Sequence, residues 1–398
     1  MPLDEGRLPP ATTIDVGSDE SVIGAAQAFA CALPHTREPY AKRNWGGVGH
    51  SLCSYQGKLK PGIAHFLVNT FTRPGERILD PMSGVGTIPF EARRLGRVGV
   101  GSDLSPVAAS VSAAKLQRLD VARINVAVAE LEDVVSASDA SVLDETDVDW
   151  GLNGEVRSYF EPQTLIEVVG ARQHYLRRRA QGLSSEEHFL FTALLHILHG
   201  NRPYALSRTS HPITPLKPRG DFVYRPVMEA LRERLRRILP YFLQLQSDVP
   251  EGHAEMCALE DLHLSNAADA LITSPPFISS LRFWSANWMR LWFAGWERQD
   301  FTDRPKDFLE SKQKNSMAVY EEFALSAARN VRPEGLLIMH LGVTAQRDMG
   351  EEIAGHLDGY FRVLCQVSED VTSTESHGLT DKGRTLHHAY LFARRLSR

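Results

Sequence analysis

The chain has 398 residues, 43% hydrophobic and 23% charged, which is enough to bury one large core or two moderate ones. Its formal net charge of −5 argues against a protein that coats nucleic acid over its whole surface, and no apolar run approaches the ~20 residues that span a bilayer. The N-terminus (Asp4, Glu5, Arg7) lacks the apolar core of a secretory signal, and Cys31, Cys53, Cys257 and Cys365 form no Cys-x-x-Cys pair, a pattern that fits reduced thiols in the cytoplasm and no zinc framework.

Residues 1–45 read as a loosely packed leader with a helix predicted over 22–33. Tyr55-Gln56-Gly57-Lys58-Leu59-Lys60-Pro61-Gly62 leads into 63–68, whose apolar spacing is helical and which stops before the turn Arg73-Pro74-Gly75. Ile78-Leu79 then reads as a short buried strand ending in Asp80, followed by Gly84-Val85-Gly86 and a helix over 88–95 with Gly96 as its stop. Strand, glycine loop and helix is the arrangement that brings backbone amides close to a cofactor. The third glycine of the dinucleotide fingerprint is missing, and Asp80 would repel a pyrophosphate. A carboxylate there suits a cationic ligand such as the amine and sulfonium of S-adenosylmethionine. Residues 98–103 read as a second strand ending in Asp103, about 20 residues past the loop, where an acidic residue takes two ribose hydroxyls. Asp103 could equally serve the start of the helix at Ser105-Pro106.

Residues 130–155 hold nine acidic side chains and no basic one, as in a linker or solvated loop. From Arg157 to Pro240 the sign reverses, with 14 Arg+Lys against 7 Asp+Glu, a balance of +7. The basic residues include Arg177-Arg178-Arg179 and a helical face of Arg232, Arg236 and Arg237. Between them lie a helical stretch, 189–199, and a Pro-rich loop from Asn201 to Gly220. Such a segment is either an electrostatic footprint for a polyanion or a solvated helical surface. His196 and His199 have no third ligand nearby and read as packing residues rather than a metal site. After a strand and turn predicted over 256–262, the apolar run from Asp269 reads as a buried parallel strand that ends in Ser274-Pro275-Pro276-Phe277. Two prolines make this a rigid extended elbow. It holds a hydroxyl, a main-chain carbonyl and an aromatic face in fixed relation, which suits a planar group bearing an exocyclic amine. The tryptophans between Phe283 and Trp296 read as core. Residues 335–340 read as a further buried strand, 361–367 and 388–392 as a terminal antiparallel pair, and 373–384 as a polar loop.

Asp80-Pro81-Met82-Ser83-Gly84-Val85-Gly86-Thr87, taken with Thr273-Ser274-Pro275-Pro276-Phe277, resembles the two signature motifs of the S-adenosylmethionine (SAM)-dependent DNA amino methyltransferases. These are the N4-cytosine and N6-adenine modification enzymes. The resemblance implies an α/β Rossmann-like methyltransferase fold, a mostly parallel sheet with a terminal antiparallel strand, plus a largely helical insertion. It divides the chain into a leader (1–45), a SAM-binding half (46–128), an acidic linker (129–155), a basic insertion for target recognition (156–255) and a catalytic half (256–398). It implies SAM as the cofactor, with Asp80, Pro81, Ser83, Gly84, Gly86 and Thr87 at its methionine end, Tyr55 enclosing that end, Asp103 on the ribose and Glu260 as the candidate near the adenine. Ser274 and the Pro275 carbonyl would accept the amine hydrogens, Pro276 would hold the elbow and Phe277 would stack on the extruded base. The implied partner is double-stranded DNA with a flipped base, in the cytoplasm and without a membrane; the resemblance leaves a cognate restriction endonuclease open. No metal is implied. Serine at the first elbow position is the form common among N4-cytosine enzymes, and adenine stays open. No cysteine follows a proline, which removes C5-cytosine methylation. The first motif also resembles that of tRNA guanine-N2 methyltransferases, although the residues before Trp45 are few for an RNA-binding module. A SAM-binding regulator that catalyses nothing is the alternative from another class.

Overall fold

The computed structural model describes residues 16–42, 45–278, 283–372 and 385–397. Seven strands form one sheet: β1 (Arg77–Asp80), β2 (Val98–Asp103), β3 (His253–Met256), β4 (Ala268–Thr273), β5 (Val331–Thr344), β6 (Phe361–Asp370) and β7 (Thr385–Arg395), in the order β3-β2-β1-β4-β5-β7-β6. β1 to β5 run parallel, and β7 lies antiparallel between β5 and β6. This is the Rossmann-like methyltransferase architecture expected from the sequence. The central strands are apolar at consecutive positions because both faces are covered. Ile78, Ile272 and Ile338 pack on one face against the helices Asp19–Ala32 and Pro61–Phe71. Leu79, Leu271 and Leu337 pack on the other face against Val319–Asn330.

Strand order fixes where a ligand can sit. The chain moves outward through β1, β2 and β3, then returns to the other side of β1 with β4. The carboxyl ends of β1 and β4 therefore flank the crevice of a topological switch point. At the opposite end, Asp269 accepts from the Arg77 N–H at 2.9 Å and pairs with Arg332 at 2.9 Å, locking β1, β4 and β5 together.

Three expectations need correction. From residue 19 the leader is a packed helix: Ser18 caps it, and Val22, Ala26 and Phe29 are buried. The acidic segment begins inside the helix Val121–Ala137, whose Ile124, Leu131 and Val135 are buried, so Glu130, Glu132 and Asp133 lie on the wet side of an amphipathic helix and only the residues after it form the connection. The strand expected over 256–262 ends at Met256 and lies upstream of that range. The insertion contributes helices Pro162–Gln181, Ser185–Ile197 and Val227–Leu245. Its Phe189, Leu194 and Phe242 share one core with Phe90, Val107 and Val111, so it packs onto the helices that follow β1 and β2. The loop expected over 373–384 lies outside the described residues. Among the described residues no helix is long and apolar enough to cross a membrane.

Candidate functional site

β1 and β4 are parallel neighbours with Leu79 opposite Leu271, so the residues ending them stand side by side. The Thr273 hydroxyl donates to Asp80 Oδ1 at 2.7 Å, tying the strand of the first motif to that of the second. Asp80 Oδ1 also accepts from the Met82 N–H at 3.2 Å, at the start of the glycine loop. The loop itself is held by Asp103, whose Oδ2 accepts from the Gly84 N–H at 2.9 Å. Its Oδ1 accepts from the Ser105 N–H at 2.8 Å, and Ser105 caps the helix Pro106–Leu116. One carboxylate thus fixes both the glycine loop and the start of the helix. Gly84 and Gly86 adopt φ of 50° and 69°, and a Cβ on Gly86 would also run into Ser112, so a side chain is excluded there twice over.

Between the loop and the elbow lies a cleft of about 390 Å³. Of the residues singled out from sequence, Tyr55, Asp80, Pro81, Ser83, Gly84, Thr87, Asp103, Glu260, Ser274 and Pro276 line it. Gly86, Pro275 and Phe277 are not among the lining residues. Gly86 lies behind the loop against Ser112. Phe277 packs over Gly342 with ring centroids 5.3 Å from His340 and 5.7 Å from His388, on the β5–β7 side of the elbow. Gln313 fixes the elbow by donating to the Pro276 carbonyl at 2.8 Å, and is itself held by the Tyr320 hydroxyl at 3.0 Å. Tyr55 stacks with Phe283 at 6.2 Å, and Glu260 sits at the exposed rim, 3.8 Å from Lys312.

Among the wall residues not singled out as site residues from the sequence are Phe283, Glu310, Lys312 and Cys257. None sits in a local pattern that differs from core or surface. The same holds for His340, 66 positions from Ser274, whose Nδ1 lies 2.9 Å from the Ser274 hydroxyl.

The electrostatics of the cleft test whether SAM fits. Burial raises Asp80 to about 7 against the hydrogen bonds from Thr273 and Met82, with Asp103 adding to the rise. Burial likewise raises Asp103 to about 6 against the N–H groups of Ser105 and Gly84. Neither carboxylate has a cationic partner among the described residues, and the buried Ser83 hydroxyl has no hydrogen-bond partner there. Two desolvated carboxylates and an unused hydroxyl in one cleft are what a zwitterionic sulfonium ligand would satisfy, so the residues fit the group. Because the cation favours the ionised carboxylates, SAM affinity should rise from pH 5 to pH 7 with release of protons. Calorimetry in buffers of different ionisation heat measures both quantities, and a pH-independent affinity would contradict the assignment.

Residues 49–149 match a family model described as UPF0020, RMKL-like, methyltransferase domain. The matched span holds the first motif, β1, β2 and both carboxylates. This domain's cofactor is S-adenosylmethionine. A 75-residue stretch is 28% identical to the type II methyltransferase M.MjaII of Methanocaldococcus jannaschii, covering 19% of this chain and 14% of that protein. Among solved structures, TrmN from Thermus thermophilus aligns at 13% identity and a TM-score of 0.28, over 86% of this chain and 50% of that one. The rRNA methyltransferase aviRa from Streptomyces viridochromogenes aligns at 10% identity and a TM-score of 0.35, over 90% and 94%. The chain therefore spans a small part of M.MjaII and half of TrmN.

Proposed function

We propose that the chain transfers a methyl group from SAM to an exocyclic amine of a base in DNA, with cytosine N4 as the favoured position, in the cytoplasm. The observation that carries this reading is the 2.7 Å hydrogen bond between Thr273 and Asp80, which brings the ends of the two motifs side by side in the lining of one cleft. SAM supplies an electrophilic methyl on a sulfonium. Asp80, Ser83 and the Gly84 backbone would hold its methionine end, and Asp103 its ribose. An aryl amine is a weak nucleophile because its lone pair is delocalised into the ring. By accepting an N–H, Ser274 would favour a pyramidal nitrogen with a directed lone pair, so that positioning and electrostatics lower the barrier. No covalent intermediate on the protein is needed. Transfer from labelled SAM to unmethylated bacterial DNA and to tRNA, followed by nucleoside mass spectrometry, tests the reading. N4-methylcytosine is expected. N6-methyladenine would move the target base, N2-methylguanosine in tRNA would replace DNA by RNA, and no transfer to either would contradict the proposal.

Support for a nucleic-acid partner comes from the loop after the helix Ser185–Ile197 rather than from the arginine run. Arg178 pairs with Glu187, and Arg179 donates to the Ala294 carbonyl at 2.8 Å. Arg232 pairs with Glu132, and Arg236 and Arg237 both pair with Glu233. These charges are largely answered within the fold. In the loop, Arg202, Lys217 and Arg219 are exposed, and Leu216, Phe222, Val223 and Tyr224 expose about half their surface. The Arg208 guanidinium lies 4.4 Å above the Phe222 ring. Cations interleaved with exposed rings suit phosphates and unstacked bases. Replacing Arg202, Lys217 and Arg219 by alanine should weaken binding to a DNA duplex about tenfold at moderate salt and flatten its salt dependence. An unchanged salt slope would remove the loop from the interface.

A further inference from the structure

The Ser274 hydroxyl can donate or accept, and the proposed chemistry needs it in one state only. An aryl amine presents hydrogens to its surroundings, so a serine hydrogen pointing into the cleft would oppose it. The structure answers this with His340 on β5, which is 3% exposed and holds Nδ1 2.9 Å from Ser274 Oγ. Resting on the functional reading above, we propose that His340 is a positioning residue: its Nδ1 accepts the Ser274 hydrogen, so that the serine lone pairs face the base amine.

Two observations are compatible with that arrangement. First, His340 is enclosed by rings. His388 lies 4.5 Å away edge to face, Tyr390 at 5.2 Å and Phe277 at 5.3 Å, and Nε2 has no hydrogen-bond partner among the described residues. Nothing among the described residues fixes the state of Nε2, and the proposed arrangement places the neutral ring's hydrogen there and leaves Nδ1 free to accept. Second, the surroundings keep the ring neutral. Burial, followed by the nearby His388 and His35, holds its pKa well below the ordinary histidine value. Glu369, 4.0 Å from the neighbouring His388, is engaged by the Tyr390 hydroxyl at 2.8 Å and by His35 at 3.0 Å. An imidazolium would donate to Ser274 and turn the serine hydrogen into the cleft, so a neutral ring is the state that serves the reaction.

The test is a double-mutant cycle read by transfer from labelled SAM to unmethylated bacterial DNA. His340→Leu should lower kcat about 10- to 100-fold with the KM for SAM within about twofold, the size expected for one buried hydrogen bond. His340→Asn, whose amide oxygen can take the place of Nδ1, should recover most of that loss. Ser274→Ala combined with His340→Leu should be no slower than Ser274→Ala alone. Melting temperatures near that of the unmodified chain show that the variants fold. Full activity in His340→Leu, no recovery in His340→Asn, or an equal further loss in the Ser274→Ala background would each overturn the role of His340 while leaving the elbow assignment in place. Full activity in Ser274→Ala would overturn both.

Discussion

Asp80→Asn is expected to weaken SAM binding about 100-fold and at the same time to stabilise the cofactor-free protein above pH 7. The first effect follows from removing a desolvated negative charge that would meet the cationic end of the cofactor. The second follows from the sign of the shift. A carboxyl raised from 3.8 to about 7 by burial stabilises the fold below pH 4 and loses that contribution as pH rises through 7. Ionisation therefore costs the cofactor-free fold up to about 4 kcal/mol at pH 8. Asparagine keeps an oxygen for Thr273 and Met82 but carries no charge, so the cost disappears. Melting curves at pH 8 with and without SAM report both effects. A less stable variant would contradict the burial cost assigned to the Asp80 charge, and normal SAM affinity would show that Asp80 does not face the cofactor's charge.

Ser274→Ala is expected to lower the single-turnover rate about 100- to 1,000-fold without changing SAM affinity. The elbow is fixed from behind by Gln313 and from the strand by Thr273, so removing one oxygen should leave its course unchanged. What would be lost is the acceptor proposed for the amine hydrogen, and preorganised polar groups of this kind carry that share of a rate. A parallel loss of SAM affinity would instead indicate a collapsed cleft.

The parts of this account that were legible in the sequence are those set by neighbours along the chain. β2 falls over 98–103 as expected, because a buried strand that ends in an acid and is followed by Ser-Pro announces both its end and the next helix. Asp80, Gly84 and Ser274 could be singled out because glycine, proline and acid at strand ends restrict the backbone in recognisable ways. What escaped depends on partners distant in sequence. The pairing of Ser274 with His340 arises only because β4 and β5 lie side by side, with Thr273 opposite Met339. Charge counting has the same blind spot: the sum over Arg157 to Pro240 omits Glu132, which answers Arg232 from a helix about 100 residues upstream. The leader looked loose because its helix buries only three side chains, Val22, Ala26 and Phe29, against the sheet.

A crystal structure of the chain with SAM tests the central claim most directly. The account predicts the sulfonium end against Asp80, the ribose against Asp103 and the transferable methyl facing the Ser274 hydroxyl. A cofactor bound in the opposite sense, with its methyl turned away from Ser274, or bound outside this cleft, would contradict it.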